Sequence, residues 1–380
     1  RDRPGPRRRT APAPGHRSVR RDRLMAGQLI PRPGSSPDGA RSAAAGSPAP
    51  VTRVLVTGAG GPAAIAAMKS LRADPSVELI AADMDRWAAG LYLVPPAART
   101  LIPAGAAADF TDVLLARCRA LDVHVVLPTV DAELLPLAGA RADFTAHGID
   151  LLLAPAAALA VILDKLALAG HCAGIVRVPR TEPLGSGIDP ASWTYPVAVK
   201  PRTGSGSRGF AVIGSAAELA ALGHAPGLIV QEFLPGEEYS IDVLADAAGH
   251  VIASVPRLRA RVDSGVSVGG RTVRDAELEA FGAAVAEATG ITYVANVQAK
   301  RDAGGRPALL EVNPRMPGTL GLTIASGVDM PRLALDSLRG LPVPASLGFR
   351  ERAVVRFLDE RVLDPAEIEH VGRDLTGFPV

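Results

Sequence analysis

Four oxygen-bearing side chains stand at spacings that two strands would bring into one patch. Asn296 and Gln298 alternate along one run, and Glu311 and Asn313 along another. Side chains two apart on a strand share a face. A two-residue turn centred on Gly304-Gly305, where both residues tolerate positive φ, predicts a hairpin with Gln298 opposite Glu311 and Asn296 opposite Asn313. A carboxylate among amide oxygens suits Mg2+, or Mn2+ in its place, an ion that keeps waters and bridges substrate phosphates. The competing reading is a polar, solvated sheet face. Against it, Ile291, Tyr293, Ala295, Val297, Leu310 and Val312 take the opposite face, and the polar positions hold amides and a carboxylate rather than a Lys/Glu mix.

A second constellation is Lys200-Pro201-Arg202-Thr203-Gly204-Ser205-Gly206-Ser207-Arg208-Gly209. Three glycines let backbone approach an anion, and Lys, Arg and Ser supply donors. No Gly-Lys-Ser/Thr opens a helix here, so it is not a Walker A loop. It joins two strands, as a flap would; an exposed hairpin loop is the alternative. A third is Gly58-Ala59-Gly60-Gly61, a turn between strand and helix able to meet an anion. A dinucleotide fingerprint wants a third Gly where Ala63 stands, and none of the four Tyr has Lys four positions on, which weighs against short-chain dehydrogenase or epimerase chemistry. An NAD(P)-dependent oxidoreductase or epimerase built on the Gly58–Gly61 turn is the alternative function. The last is the apolar strand Leu228–Phe233 running through Pro235-Gly236 into Tyr239–Leu244, which by itself is ordinary strand–turn–strand.

Alternating elements position these groups. Val54–Val56, the Gly turn, a helix over 63–71 and Val77–Ala82 ending at Asp83 form a βαβ unit. Helices near 111–120 and 131–140 alternate with strands at 123–128 and 151–153, which predicts a parallel α/β domain. Beyond Asp164-Lys165 the pattern turns to hairpins with intervening helices, including one at 275–289 closed by Gly290, hence α+β.

In order, the stretches VLVTGAGG, VVLPTVDAELL, VAVKPRTGSGSRGF, VQEFLPGEEYSIDVL, ANVQAK and LLEVNPRMPG resemble the ATP-grasp superfamily, and within it the carboxylate–amine ligases similar to the carbamoyl phosphate synthetase large chain. The resemblance spans about residues 52–340, and Glu-Val-Asn-Pro-Arg is its most specific part. It implies an α/β Rossmann-like N-terminal (pre-ATP-grasp) domain at 51–160 followed by an α+β ATP-grasp fold at 161–380, with a lid subdomain at about 170–235. It implies ATP and Mg2+ as cofactors. Lys165 and Lys200 would contact ATP phosphates under a flap of Gly204, Ser205, Gly206, Ser207, Arg208 and Gly209. Glu232, Phe233 and Leu234 would line an adenine pocket, and Glu238 would hold the ribose. Gln298, Glu311 and Asn313 would gather one or two Mg2+. Arg315, Lys200 and Arg208 are the catalytic candidates, Arg315 facing the γ-phosphate and the substrate carboxylate. Among Arg257, Arg259, Arg261 and Arg271, Arg257 and Arg271 are candidates for binding that carboxylate; a basic solvated strand is the alternative. The implied reaction joins a small carboxylate, of amino-acid type, to an amine through an acyl phosphate. With a single ATP-grasp unit and no glutaminase or tandem half, full carbamoyl phosphate synthesis is not the expected reaction.

Composition bounds the rest. The 380 residues are 48% hydrophobic and 21% charged, which excludes a wholly disordered chain, and 4% aromatic, which argues against base-stacking platforms. Two cysteines without a CxxC exclude a thiolate zinc site and point to a reducing, cytoplasmic setting. Residues 1–50 carry eleven Arg against three Asp, a net +8 within a total of +2, so the remaining 330 residues sum to −6. The basicity belongs to a leader that reads as a disordered arm, or as translated upstream sequence with Met25 the true start. No apolar segment of signal-peptide length follows it. Nucleic acid would be met through this leader alone, no membrane span is expected, and a homodimer is left open.

Overall fold

The computed structural model describes residues 51–371 except 186, 205–208 and 264–265. Strands β1 (Thr52–Val56), β2 (Val77–Asp83), β3 (Arg99–Leu101), β4 (Val125–Leu127) and β5 (Asp150–Leu151) form one sheet in the order β3-β2-β1-β4-β5, with every pair parallel. Helices α1 (Pro62–Leu71), α2 (Phe110–Ala120), α3 (Asp131–Gly139) and α4 (Arg141–Ala146) fall between them. A parallel strand covered on both faces must be apolar throughout, and Val54, Leu55 and Val56 are all fully buried. The strand order reverses between β1 and β4, the place where open α/β sheets leave a crevice beyond their carboxyl ends. The Gly58 turn closes it. Gly58 has φ +58°, and a Cβ there would lie 2.5 Å from Val130 and 2.8 Å from Thr129, so only glycine fits.

Two short helices follow, α5 (Ala156–Ile162) and α6 (Lys165–Cys172). Asp164 caps α6, accepting from the Leu166 and Ala167 N–H groups. A second sheet comprises β6 (Thr181–Pro183), β7 (Val197–Pro201), β8 (Ala211–Ile213) and, after α7 (Ala216–Ala221), β9 (Leu228–Glu232), ordered β6-β9-β7-β8 and antiparallel. It has its own small core around Leu184, Trp193, Val197, Val199, Leu219 and Val230.

The third sheet is antiparallel: β10 (Glu238–Ala245), β11 (Val251–Asp263), β12 (Val266–Thr272), β13 (Val294–Arg301), β14 (Pro307–Asn313) and β15 (Ala353–Val355), ordered β14-β13-β10-β11-β12-β15. Helix α8 (Ala276–Thr289), capped by Asp275 and followed by Gly290 at φ 64°, packs on it. Helices α9 (Leu320–Ala325), α10 (Met330–Leu338) and α11 (Pro365–His370) complete the helices of the described residues.

Two expectations need correction. Leu228–Phe233 and Tyr239–Leu244 do not make a hairpin: β9 is held between β6 and β7, and β10 between β11 and β13, so both edges of each are taken. The connecting Pro-Gly segment instead docks on β13. The Gly236 N–H donates to the Arg301 carbonyl at 3.0 Å, and a Cβ at 236 would lie 2.6 Å from that oxygen.

The β13–β14 hairpin pairs Gln298 with Glu311 and Asn296 with Asn313, as expected, but not through a two-residue turn. Its last pair is Arg301 with Pro307, enclosing five residues in which Asp302 Oδ1 accepts from the Gly304 and Arg306 N–H groups. Unbroken pairing from that loop would set Glu311 opposite Val297, on the apolar face. An irregularity between Glu311 and Leu309 inserts Leu310, and this bulge rolls Glu311 back to the polar face.

Candidate functional site

A cleft of about 820 Å³ runs between the polar face of the third sheet and the carboxyl end of the first. Ser240, Asn296, Gln298, Glu311 and Asn313 line one wall, and Gly58, Gly60, Gly61, Asp83 and Glu133 line the other. The four oxygen-bearing residues singled out in the sequence therefore do converge. Weakly, at 3.5 Å, Gln298 Nε2 donates to Asn296 and Asn313 Nδ2 to Glu311, which leaves the amide oxygens of Gln298 and Asn313 as acceptors.

Two lysines approach Glu311 from other elements. Lys165, at the start of α6, places Nζ 3.6 Å from Glu311 Oε2 and donates to the Gly204 carbonyl at 2.6 Å. Lys200, on β7, points Nζ at the carbonyl of the bulged Leu310, 3.5 Å away. Burial pushes the Lys200 amine down to about 8; Glu311 pulls it back up and Lys165 adds to the fall. The base of the Gly-rich loop is tied to α6, because the Arg202 guanidinium grips Asp164 and holds that carboxyl below its ordinary range. Gly204 and Gly209 flank the loop; Ser205, Gly206, Ser207 and Arg208 lie outside the described residues.

Several candidates are placed differently from expectation. Arg257 lines the cleft but is buried, and its Nε and Nη2 donate to Asp242 at 2.8 and 2.6 Å, so those two nitrogens face a protein carboxylate. Arg271 and Arg261 are exposed on the third sheet, outside the cleft lining. Glu238 is bonded to Arg259. Glu232 accepts from Arg177 at 2.6 and 2.8 Å and from the Arg180 N–H at 3.1 Å. Leu234 is buried and Phe233 lies under the Lys300 amine, 5.1 Å from the ring centre; neither belongs to the cleft lining. Arg315 does line it.

Sequence reading missed the carboxylates that organise the cleft. Asp242 is buried and accepts from Arg257, Asn296 and Thr323. Asp131 grips Arg315. Glu133 is buried on the Rossmann-like side, accepting from the Thr57 hydroxyl, which itself accepts from the Thr129 N–H at 3.2 Å. Its place on the Leu134/Leu137 stripe of α3 was the available signal: an acid on an apolar face.

Burial pushes the Glu133 carboxyl up to about 7, against the lowering by Thr57. A folded-state value above the ordinary 4.5 means the neutral form is favoured. The cost of ionising it is absent at low pH, grows as pH rises past the ordinary value, and is complete above about 7. Glu133→Gln keeps an oxygen for Thr57 without the charge. Its stability relative to the parent is expected to rise by up to about 3 kcal/mol between pH 5 and pH 8. Urea unfolding at the two values checks this; an unchanged difference would show that the carboxyl titrates normally.

For a divalent cation the donor set is one carboxylate with amide oxygens. Among the described residues, no three His, Cys, Asp or Glu side chains are grouped to hold a metal alone. That fits Mg2+ shared with substrate phosphates rather than a cation caged by protein. For a dinucleotide the fit is poor: Asp83 Oδ2 already accepts from the Gly60 N–H at 2.8 Å and Oδ1 from the Asp85 N–H at 3.0 Å, so a protein carboxylate occupies the turn's anion donor. No helix among the described residues is long and apolar enough to cross a membrane.

Comparison with known proteins agrees with this architecture. A family model described as ATP-grasp in the biosynthetic pathway with Ter operon matches residues 224–360, and one for the PylC-like N-terminal domain matches residues 54–152. No curated protein gives a significant match. Among solved structures, the chain is similar to Rhizobium etli pyruvate carboxylase (19% identity, TM-score 0.64), of which it spans 29% while 77% of this chain is covered. It is similar to Campylobacter jejuni biotin carboxylase in complex with β-γ-ATP (16% identity, 77% of this chain and 72% of that one, TM-score 0.65). It is also similar to an L-amino acid ligase from Bacillus licheniformis (15% identity, 77% and 75%, TM-score 0.60). At such identities the likeness is one of fold.

Proposed function

We propose that this chain, which belongs to the ATP-grasp superfamily, is an ATP- and Mg2+-dependent ligase that joins a small carboxylate to an amine. The observation that carries the reading is the meeting at Glu311: a carboxylate flanked by amide oxygens, with Lys165 and Lys200 brought to it from two other elements, across a cleft from a glycine turn.

The chemical difficulty is charge, since a carboxylate must approach a triphosphate. Bound with the nucleotide between Glu311, Gln298 and Asn313, Mg2+ would supply neutralisation of the phosphate oxygens. Lys165 and Lys200 would hold the phosphates, and Arg315 would face the oxygen and phosphorus between which the new bond forms. The substrate carboxylate oxygen attacks the γ-phosphorus and the bond to the bridging oxygen breaks, giving an acyl phosphate and ADP. The amine then attacks the acyl carbon, phosphate leaves with the C–O bond electrons, and the amine gives up a proton. No protein nucleophile is needed. The Gly204–Gly209 loop, joining β7 and β8, would shield the acyl phosphate from water. The fold likeness to a biotin carboxylase in complex with β-γ-ATP and to an amino acid ligase supports the reading.

A screen of amino acids and small carboxylates against amine acceptors tests it, following ADP release and product mass. The expected result is Mg2+-dependent ADP and phosphate in equal amounts with an amide product. A purified chain that binds NAD(P) and not MgATP would overturn the proposal.

A further inference from the structure

Arg315 is held from outside the sheet that leads into it. Its Nε and Nη2 donate to the two oxygens of Asp131 at 2.8 and 2.7 Å, and its Nη1 donates to the Met316 carbonyl at 3.2 Å. Asp131 is the first residue of α3, 184 positions earlier, and is not itself in the cleft lining. A guanidinium carries five N–H groups. Three are spent here, which leaves one on each terminal nitrogen. A two-point pair with a carboxylate fixes the plane of the guanidinium as well as its place. The pair is thus a cross-brace from the parallel sheet's helix layer to the cation beside the Glu311 patch, with both side chains mostly buried.

We propose that Asp131 is a positioning residue: it aims the two remaining N–H groups of Arg315 at the terminal phosphate of the nucleotide and the carboxylate that receives it. The inference rests on the ligase reading of the cleft. It separates Asp131 from the other carboxylates there. Asp242 spends its oxygens on Arg257 and Asn296 of the third sheet and on Thr323 of α9, and Glu133 bonds within its own domain. Asp131 reaches across to a cleft-lining cation by both of its oxygens.

Calorimetric titration of the full chain with MgADP and with the magnesium complex of β,γ-methylene-ATP tests this without requiring the substrates. Asp131→Asn is expected to leave the MgADP affinity within about twofold and to weaken the triphosphate analogue about tenfold, the loss of roughly one charge-assisted hydrogen bond. In an Arg315→Ala background the same substitution should add less than about twofold, because the brace then has nothing to aim. A merely structural role would weaken both nucleotides together and add in both backgrounds, and that result overturns the proposal, as does an Asp131→Asn protein with parental preference for the triphosphate. If Arg315→Ala keeps that preference, the role given to Arg315 falls and this inference with it, while the ligase reading stands. A parent chain that binds neither nucleotide overturns both.

Discussion

Glu311→Gln is expected to reduce Mg2+-dependent ADP release by at least about a thousandfold, a loss of roughly 4 kcal/mol in transition-state stabilisation. The substitution keeps side-chain volume and one carbonyl oxygen, so the hairpin has no steric reason to move. It removes the carboxylate that the cleft offers to a divalent ion from β14, and it removes the charge 3.6 Å from the Lys165 amine. Two cations, Lys165 and Lys200, would then face each other across the site without their shared counter-ion. Turnover at saturating Mg2+, with a thermal melt to confirm the fold, checks the prediction. Parental turnover would sink the metal assignment.

The second large effect has two signs. Lys200→Met should weaken MgATP binding about a hundredfold, because it removes the only amine on β7 aimed at the patch among the described residues. The same change should stabilise the protein at pH 7 by on the order of 2–3 kcal/mol. Burial lowers the Lys200 amine from 10.5 to about 8, so the folded state resists the charged form. That cost is fully present below pH 8 and fades as pH rises from 8 towards 10.5, so the stability advantage of the Met variant should shrink over that window. Chemical denaturation at pH 7 and pH 10, beside calorimetry with MgATP, reads both. Equal stability at pH 7 would show that the amine is solvated, and unchanged affinity would remove Lys200 from the phosphate site.

Local patterning made much of the architecture legible. The apolar run of β1, the glycine turn and Asp83 are short-range signals, and they specified the parallel sheet. The glycine that closes α8 at 290 was equally plain, whereas the Asp275 cap was read as the helix's first residue. The pairing of Gln298 with Glu311 was predicted correctly through the wrong turn: loop length and bulge each shift the register by one, and they cancel. What escaped was long-range. The segregation of β9 and β10 into different sheets depends on which edges other strands occupy, which no local signal encodes. The partners of Arg257 and Arg315 lie 15 and 184 residues away, so a row of arginines after a strand gave no sign of which would be neutralised. Arg257 meets Asp242 because β10 and β11 are neighbours, whereas Arg271, further along the sheet, is left at the surface.

The small separate core beneath β6–β9 sets how this molecule can breathe. Among the described residues, seven buried side chains form the core of that sheet, while the other two sheets share one far larger apolar cluster. The free energy of local opening follows the apolar surface that must be rehydrated, so the smaller unit has the shallower well. Its backbone amides, those of β7 with Lys200 among them, would trade protons with solvent through partial openings that leave the parallel sheet intact. Clamping a ligand would then draw on a cheap, sub-global motion, and tight occupancy would be recorded as slowed exchange in those strands first.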